Sequence, residues 1–433
     1  MKKILLIPFL FISFAGKTQF MLQNVNVVTM NDSVVLKGQD VIIVNDKIVD
    51  VFPTGQKGAD NVSKVIDGKG MYLMPGFADM HAHLPKDGKE FSNKEYMRLM
   101  LQSGITTVRS MRGNASELKL RDSLKQGLLK GPDLFVSAVL PSADSMMKGN
   151  WKTDFFENAV KNKYDFVKHL GGINIGDMME ISHMVKKNNL VICGHAFEGK
   201  VDKSQLFGFR SIEHYQPFLK KYTENPAQFT LQAQNWKQAD LFFCPTFSFY
   251  YIFGFQFTAD ELKNRNGMKL ISKKIKSGWE KEISEFESAQ IKSSITDTTL
   301  RKDAATIKKT REQLKLKKAE SFKTALRALR IMDSVGVNVL ISADDGNFNV
   351  PGYSLFEEMK IYASGGFSNY KIYKMATVNA AAFFKKENYT GTVTKNSFAN
   401  LCLYEKNPLE KLDNLKTLKA VVIGGKFFWK KEI

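Results

Sequence analysis

Residues 71–84 read MYLMPGFADMHAHL, an apolar run that ends on two histidines one residue apart. The chain has 433 residues and only 6 histidines, so the pair is a local concentration. In an extended strand the side chains at i and i+2 face the same way. His81 and His83 then point to one side and Ala82 to the other. Imidazole is a borderline ligand suited to zinc and similar divalent ions. A lone histidine is more often a hydrogen-bonded structural group, so the reading depends on what the rest of the chain brings to the same place.

Further short apolar runs follow: GITTVRSM, DLFVSAVL, YDFVKHL, LVICGHA, SIEHY, LFFCPTF and VNVLISADD. Helix-patterned segments such as KEYMRLMLQS, ASELKLRDSLKQGLL and FKTALRALRIMDSVG lie between them. This alternation predicts βα units and a parallel sheet, and eight such units close a (β/α)8 TIM-like barrel. An open doubly wound sheet is the runner-up, but no glycine-rich dinucleotide turn follows an early strand. In a barrel, the C-terminal strand ends converge on one face. The first run ends on His81 and His83, the fourth on Lys168, the fifth on His195, the sixth on His214 and the eighth on Asp344. His169 follows Lys168, so alternation turns it away, and His183 falls in a helical pattern; both read as structural or surface residues.

The two ends of the chain read differently from its middle. Residues 19–73 are Val/Ile-rich β segments broken by Asn, Asp and Gly turns, and β-type runs return over 388–433. They predict a small β-sandwich domain built from both ends, with the barrel at 74–387. Residues 255–320 interrupt the barrel pattern with polar, Lys- and Glu-rich helices that could cover the barrel mouth. The first residues, MKKILLIPFLFISFAGKTQF, carry Lys2 and Lys3, an apolar run from Ile4 to Phe14, and small residues at Ser13 and Ala15. That pattern predicts a signal peptide over 1–15 and an exported protein, periplasmic or secreted.

Composition narrows the class. Hydrophobic content is 43% and charged content 25%, as in globular proteins. The odd cysteine count of 3 argues against a disulfide framework. No run beyond the leader is long and apolar enough for stable membrane insertion. The net charge of +19 lacks the aromatic interleaving of nucleic-acid binding, so nucleic acid is not the expected partner. The expected partner is a small-molecule substrate, and a homo-oligomer is compatible with the sequence.

The ordered set of motifs resembles the amidohydrolase superfamily, in its imidazolonepropionase-related and prolidase-like branch. PGFADMHAH looks like that family's PGxxDxHxH segment, and GITTVRSM, YDFVKHL, VICGHAFEG, SIEHY, CPTF and ISADDG follow in its order. The resemblance implies that His81 and His83 hold a first metal, and His195 and His214 a second. It implies that Lys168, carbamylated by carbon dioxide or bicarbonate, bridges them. Asp344 would bind the first metal and move protons, and Asp79 would support the ligands from behind. A plain ammonium repels cations, so a buried Lys168 with a lowered pKa favours the carbamate. Two departures stand out. The family's Gly-Thr-Asp at the eighth strand is Ser342-Ala343-Asp344 here, with Asp345 next to it; Asp344 is preferred because the motif aligns on Gly346. Its Ala-Asp-Leu near the C-terminus is Ala399-Asn400-Leu401.

These readings predict a metal-dependent hydrolase acting on an amide in a dipeptide or N-acyl amino acid. Two divalent ions, zinc the expected ones, would share a hydroxide nucleophile, with Asp344 as the catalytic base and then acid. Arg109, Arg112 and Tyr215 lie near strand ends and are candidates to hold a substrate carboxylate; for Arg109 a place in the barrel core is the competing reading. Alternatives are a cyclic-amide hydrolase, a one-metal deaminase, and a non-catalytic envelope protein that binds through its basic insertion.

Overall fold

The structure is a computed structural model that describes residues 19–57, 62–85, 91–141, 149–386 and 390–433. The leader expected over 1–15 lies outside the described residues.

Five strands come first: β1 (Gln19–Val28), β2 (Val35–Val44), β3 (Lys47–Pro53), β4 (Lys64–Asp67) and β5 (Tyr72–Pro75). Eight more form the middle: β6 (Phe77–Ala82), β7 (Ile105–Ser110), β8 (Asp133–Val139), β9 (Phe166–His169), β10 (Ile192–Gly194), β11 (Phe209–Glu213), β12 (Phe242–Cys244) and β13 (Asn338–Val339). The last three are β14 (Leu401–Tyr404), β15 (Leu418–Ile423) and β16 (Lys426–Trp429).

The middle strands pair in parallel, each with its sequence neighbour, from β6 to β13. The Met80 N–H donates to the Ile341 carbonyl at 3.2 Å, which brings the first strand beside the chain just past the last. The parallel sheet thus curls into the expected barrel, with helices outside. Its strands are buried on both faces, which is why they read as apolar runs. The glycine at 194 has a structural reason. Its φ is 139° and an added Cβ would lie 2.1 Å from the His169 carbonyl oxygen, so only glycine lets β10 approach β9 this closely.

The ends of the chain form one further sheet in the order β16-β15-β14-β5-β1-β2-β3, with β4 beside β1. The two halves join where β14 pairs antiparallel with β5, Leu403 opposite Leu73. A backbone bridge between Lys47 and Phe398 ties the far edge back to the C-terminal half. Leu22, Val41 and Ile48 from one half share a core with Leu401, Leu403 and Val422 from the other, so the sheet folds over its own interior. Because β5 belongs to this sheet, the chain enters the barrel at Gly76, slightly past the expected border at 73.

The insertion is helical, as its pattern predicts. A capping box of Thr258 and Glu261 opens the short helix Ala259–Lys263, Ser272 caps Lys273–Ser294, and Asp303 caps Ala304–Ser334. Phe255, Ile291 and Ile295 pack with Ile307 and Leu314, holding the two long helices together. The border expected at 320 falls inside a helix. Ala304–Ser334 runs unbroken from the insertion into the barrel's outer layer, where Phe322, Ala325, Leu326, Ala328, Leu329 and Met332 are buried.

Candidate active site

Strand ends gather the predicted residues. His81, His83, Lys168, His195, His214 and Asp344 all line one cavity of about 550 Å³. His83 Nε2 lies 3.0 Å from Asp344 Oδ1, and His81 Nε2 lies 4.0 Å from Asp344 Oδ2. The His81 and His214 rings are 5.0 Å apart between centroids, and those of His195 and His214 4.9 Å. Ligand atoms of His81, His83 and Asp344 fall within 4.8 Å of one another. Two of the six residues reach their positions through an unusual backbone. His214 has φ 70° and Asp344 φ 60°, left-handed values that non-glycine residues rarely hold without compensation.

Hydrogen bonds set the imidazole tautomers. His195 Nδ1 donates to the Leu170 carbonyl at 3.0 Å, which leaves Nε2 bare. His214 Nδ1 pairs with the Thr246 hydroxyl at 2.8 Å. His81 Nδ1 donates to Glu213 Oε2 at 2.8 Å. A carboxylate, carbonyl or hydroxyl behind a histidine is the arrangement that orients metal-ligating imidazoles. Burial holds all three rings neutral: it carries His195 down to about 4, His214 to about 3, and His81 well below its usual value.

Lys168 is wholly buried, and its Nζ has no hydrogen-bond partner among the described residues. Burial lowers its pKa to about 8, against the pull of the Glu213 carboxylate. A desolvated, unpaired amine in one cavity with four imidazoles and a carboxylate fits a group that becomes anionic and binds cations. Asp344 lies below the usual carboxylate range: burial would raise it, but His81 and His83 beside it prevail. Asp79 sits behind His81, accepting from the Ser342 hydroxyl at 2.5 Å and the His81 N–H at 3.2 Å. Ser342, one of the departures from the family pattern, thereby ties Asp79 to the eighth strand. Asp345 also borders the cavity, but its Oδ2 accepts from the Tyr96 hydroxyl at 2.5 Å.

The substrate-binding candidates separate. Arg112 lines the cavity. Arg109 does not: it is fully buried in the barrel, where its guanidinium meets Glu213 at 2.8 and 3.0 Å and Ser211 at 2.9 Å. Its positive charge is neutralised there, which leaves nothing to offer a substrate. Tyr215 is buried behind the wall, stacked on Phe247 and edge-on to Tyr250, and it is Tyr250 that borders the cavity. His169 packs between Phe197 and Phe209, and His183 is exposed on its helix.

Sequence reading missed Glu213, which links Arg109 to His81 across the barrel. A signal existed: a carboxylate directly before a predicted ligand, in phase with Ser211 on one strand face. It also missed Trp279 and Glu282, which the helix Lys273–Ser294 brings into the cavity wall. The insertion therefore forms part of the site.

The profile of the Amidohydrolase family matches residues 72–428. A dihydroorotase of Elusimicrobium minutum is 42% identical over 72 residues, a match that spans 16% of each chain. Among solved structures, a Xaa-Pro dipeptidase with bound methionine superposes with a TM-score of 0.63 at 16% identity, covering 95% of this chain and 100% of that one. A bottromycin amidohydrolase superposes with a TM-score of 0.69 at 17% identity, covering 96% and 88%. At such identities the superpositions speak to the fold.

Proposed function

The chain belongs to the amidohydrolase family, and from that premise we propose that it cleaves an amide bond in a dipeptide or N-acyl amino acid. The observation that carries the reading is Lys168, an unpaired amine buried where four imidazoles and Asp344 meet. His81, His83, Lys168 and Asp344 would hold one divalent ion, and Lys168, His195 and His214 a second, zinc being the metal these donors suit. Such ions supply an ionised water near neutral pH and polarise a substrate carbonyl.

The residues of the chain do the rest. Neutral Lys168 would form an N–C bond to carbon dioxide and release one proton to solvent, which turns an uncharged amine into an anionic carbamate and adds a carboxylate-like donor to the set. Glu213 and the Leu170 carbonyl keep the His81 and His195 rings turned, so that each presents Nε2. Asp344 takes the proton of the attacking water on a carboxylate oxygen and delivers it to the leaving nitrogen. Arg112 on the barrel side and Glu282 on the insertion give the cavity a cation and an anion. Together they suit a substrate with both termini charged, which favours a dipeptide. The leader-like residues before Gly16 support placing this activity outside the cytoplasm.

The test is a panel of dipeptides and N-acyl amino acids, offered to the full chain supplied with zinc and bicarbonate. Turnover is expected from the wild type, with Asp344→Asn slower by roughly 10²–10⁴-fold. Equal rates in both proteins would remove Asp344 from the mechanism. Absence of turnover by a metal-loaded wild type would shift the reading to cyclic amides or deamination.

A further inference from the structure

The inserted segment reaches the proton-moving aspartate through one buried amide. Asn349 is fully buried on the loop after the eighth strand. Its Nδ2 donates to the Ala343 carbonyl at 2.7 Å and to the Asp344 carbonyl at 3.2 Å. Its Oδ1 accepts from the Ser248 hydroxyl at 2.8 Å and from Arg265 Nη2 at 2.9 Å. Both donor sites and both acceptor sites of the side chain are thus engaged. Arg265 belongs to the insertion and is itself buried; it also donates to Ser248 Oγ at 2.8 Å and to the Phe348 carbonyl at 3.2 Å.

The loop that Asn349 grips needs holding. Asp344, Asn347 and Phe348 all have positive φ, at 60°, 48° and 70°. A run of left-handed non-glycine residues persists only where its surroundings over-determine it. The Asn349 backbone adds a reciprocal pair with Gly346, both at 2.9 Å, but that pair closes the turn on itself and does not orient it toward the barrel. Phe348 also packs on Trp279 at 5.6 Å between ring centroids, Asn347 Nδ2 donates to Glu282 at 3.3 Å, and the Asp344 N–H donates to Ser342 Oγ at 3.2 Å. The Asn349 side chain is the group that joins the Asp344 carbonyl to the loop after the seventh strand and to Arg265 of the insertion.

We propose that Asn349 and Arg265 are positioning residues: Arg265 pins the Asn349 amide, and the amide fixes the backbone of Asp344 in its left-handed, site-facing conformation. The inference rests on the role proposed above for Asp344. It gives the insertion a second task beyond walling the cavity, because removal of Arg265 releases a catalytic backbone that Arg265 does not itself touch.

Hydrogen exchange on the full chain tests this without a substrate. Arg265→Met keeps length and burial while removing the donors, and Arg265→Lys retains one cationic donor. In Arg265→Met the amides of residues 342–347 should exchange roughly tenfold faster or more, while those around Lys168, His195 and His214 keep their wild-type rates. Arg265→Lys should fall between. The double variant Arg265→Met/Asn349→Ala should exchange no faster in 342–347 than Asn349→Ala alone, because both changes break one chain of contacts. Acceleration confined to residues 258–272, or multiplying effects in the double variant, would overturn the proposal. So would an equal acceleration across the barrel.

With a substrate in hand, Arg265→Met should lower kcat by roughly 100-fold, the scale of a small misplacement, and leave KM nearly unchanged. A rise in KM alone would assign Arg265 to the cavity wall and overturn the positioning role. The two readings fail separately. Loss of 342–347 protection in Arg265→Met, in a protein whose wild type cleaves no amide, leaves the clamp standing and removes the amide chemistry. Amide cleavage with unchanged protection in Arg265→Met does the reverse.

Discussion

The two rings at 81 and 83 are held differently: His83 meets Asp344 through Nε2 at 3.0 Å, and His81 is anchored through Nδ1. His81 is backed by Glu213, and Glu213 is in turn held by Arg109. Glu213→Gln keeps the volume but gives the His81 Nδ1–H a weaker acceptor and leaves the buried Arg109 cation without its counter-charge. We expect metal affinity to fall by roughly 10–100-fold, measured by chelator competition against the wild type. A fall no larger than that of a surface Glu→Gln control would show that the ring is held by packing alone. At this scale the sequence was legible where one rule decided the outcome. Strand alternation and strand-end position sufficed to bring His81, His83, Lys168, His195, His214 and Asp344 to one cavity. Arg109 and Glu213 were less legible because alternation says that a side chain points inward but not how deep it lies. Arg109 sits deeper than the cavity lining, where its partner is another barrel residue rather than a substrate.

Among the elements, the inserted helices carry the clearest consequences. The helix Lys273–Ser294 presents Glu282 to the cavity from an exposed position, so its replacement should leave the fold intact. Glu282→Gln should raise KM for dipeptides by roughly tenfold, the worth of one charge-assisted contact, and leave KM for N-acyl amino acids unchanged. Equal changes for both substrate types would remove Glu282 from recognition of the amine. A second element-level effect concerns Glu358, whose carboxylate accepts the Phe247 and Ser248 N–H groups at 2.9 and 2.5 Å. Burial pushes its pKa up to about 8. The unfolded chain loses that proton near about 4.3, so between these values the native state holds the extra proton and this group's contribution to stability falls as pH rises. The stability of the wild type relative to Glu358→Gln should therefore decline from about pH 5 to about pH 8 and level off above, as read by thermal unfolding. A constant difference across that range would mean that Glu358 is ionised throughout. Helix patterning gave the insertion's content but not its end. The amphipathic pattern continues without a break through residue 320, and only packing shows where the insertion gives way to the barrel layer.

For the whole molecule, the chain order β-barrel-β was readable because each part has its own period and turn chemistry. How the two ends meet was not, since pairing of β14 with β5 depends on contacts more than three hundred residues apart. The β-domain is bonded to the barrel through the Gly76 N–H to the Asn400 carbonyl at 2.8 Å and through Asn400 Nδ2 to Asp133 at 2.9 Å. Asn400, the second departure from the family pattern, thus serves the joint between domains. Cys193, Cys244 and Cys402 are free and buried, and burial pushes Cys402 up to about 12. Thermal unfolding should therefore be indifferent to reductant, and a thiol reagent should label the chain only once it unfolds. Rapid labelling of the native chain would contradict that burial. The shared helix Ala304–Ser334 has 31 residues and, at 1.5 Å per residue, is a strut about 46 Å long. One end is embedded in the barrel and the other carries the roof of the cavity. A roof joined to the walls by a continuous beam has no hinge on that side. The chain that crosses from the seventh strand leans on the same beam: a Cβ at Gly254 would lie 3.0 Å from the Phe322 ring, and Gln256 Nε2 donates to the Lys315 carbonyl at 3.1 Å. Roof, wall and the crossing segment are thus framed by a single timber, and a cut in that helix would loosen all three.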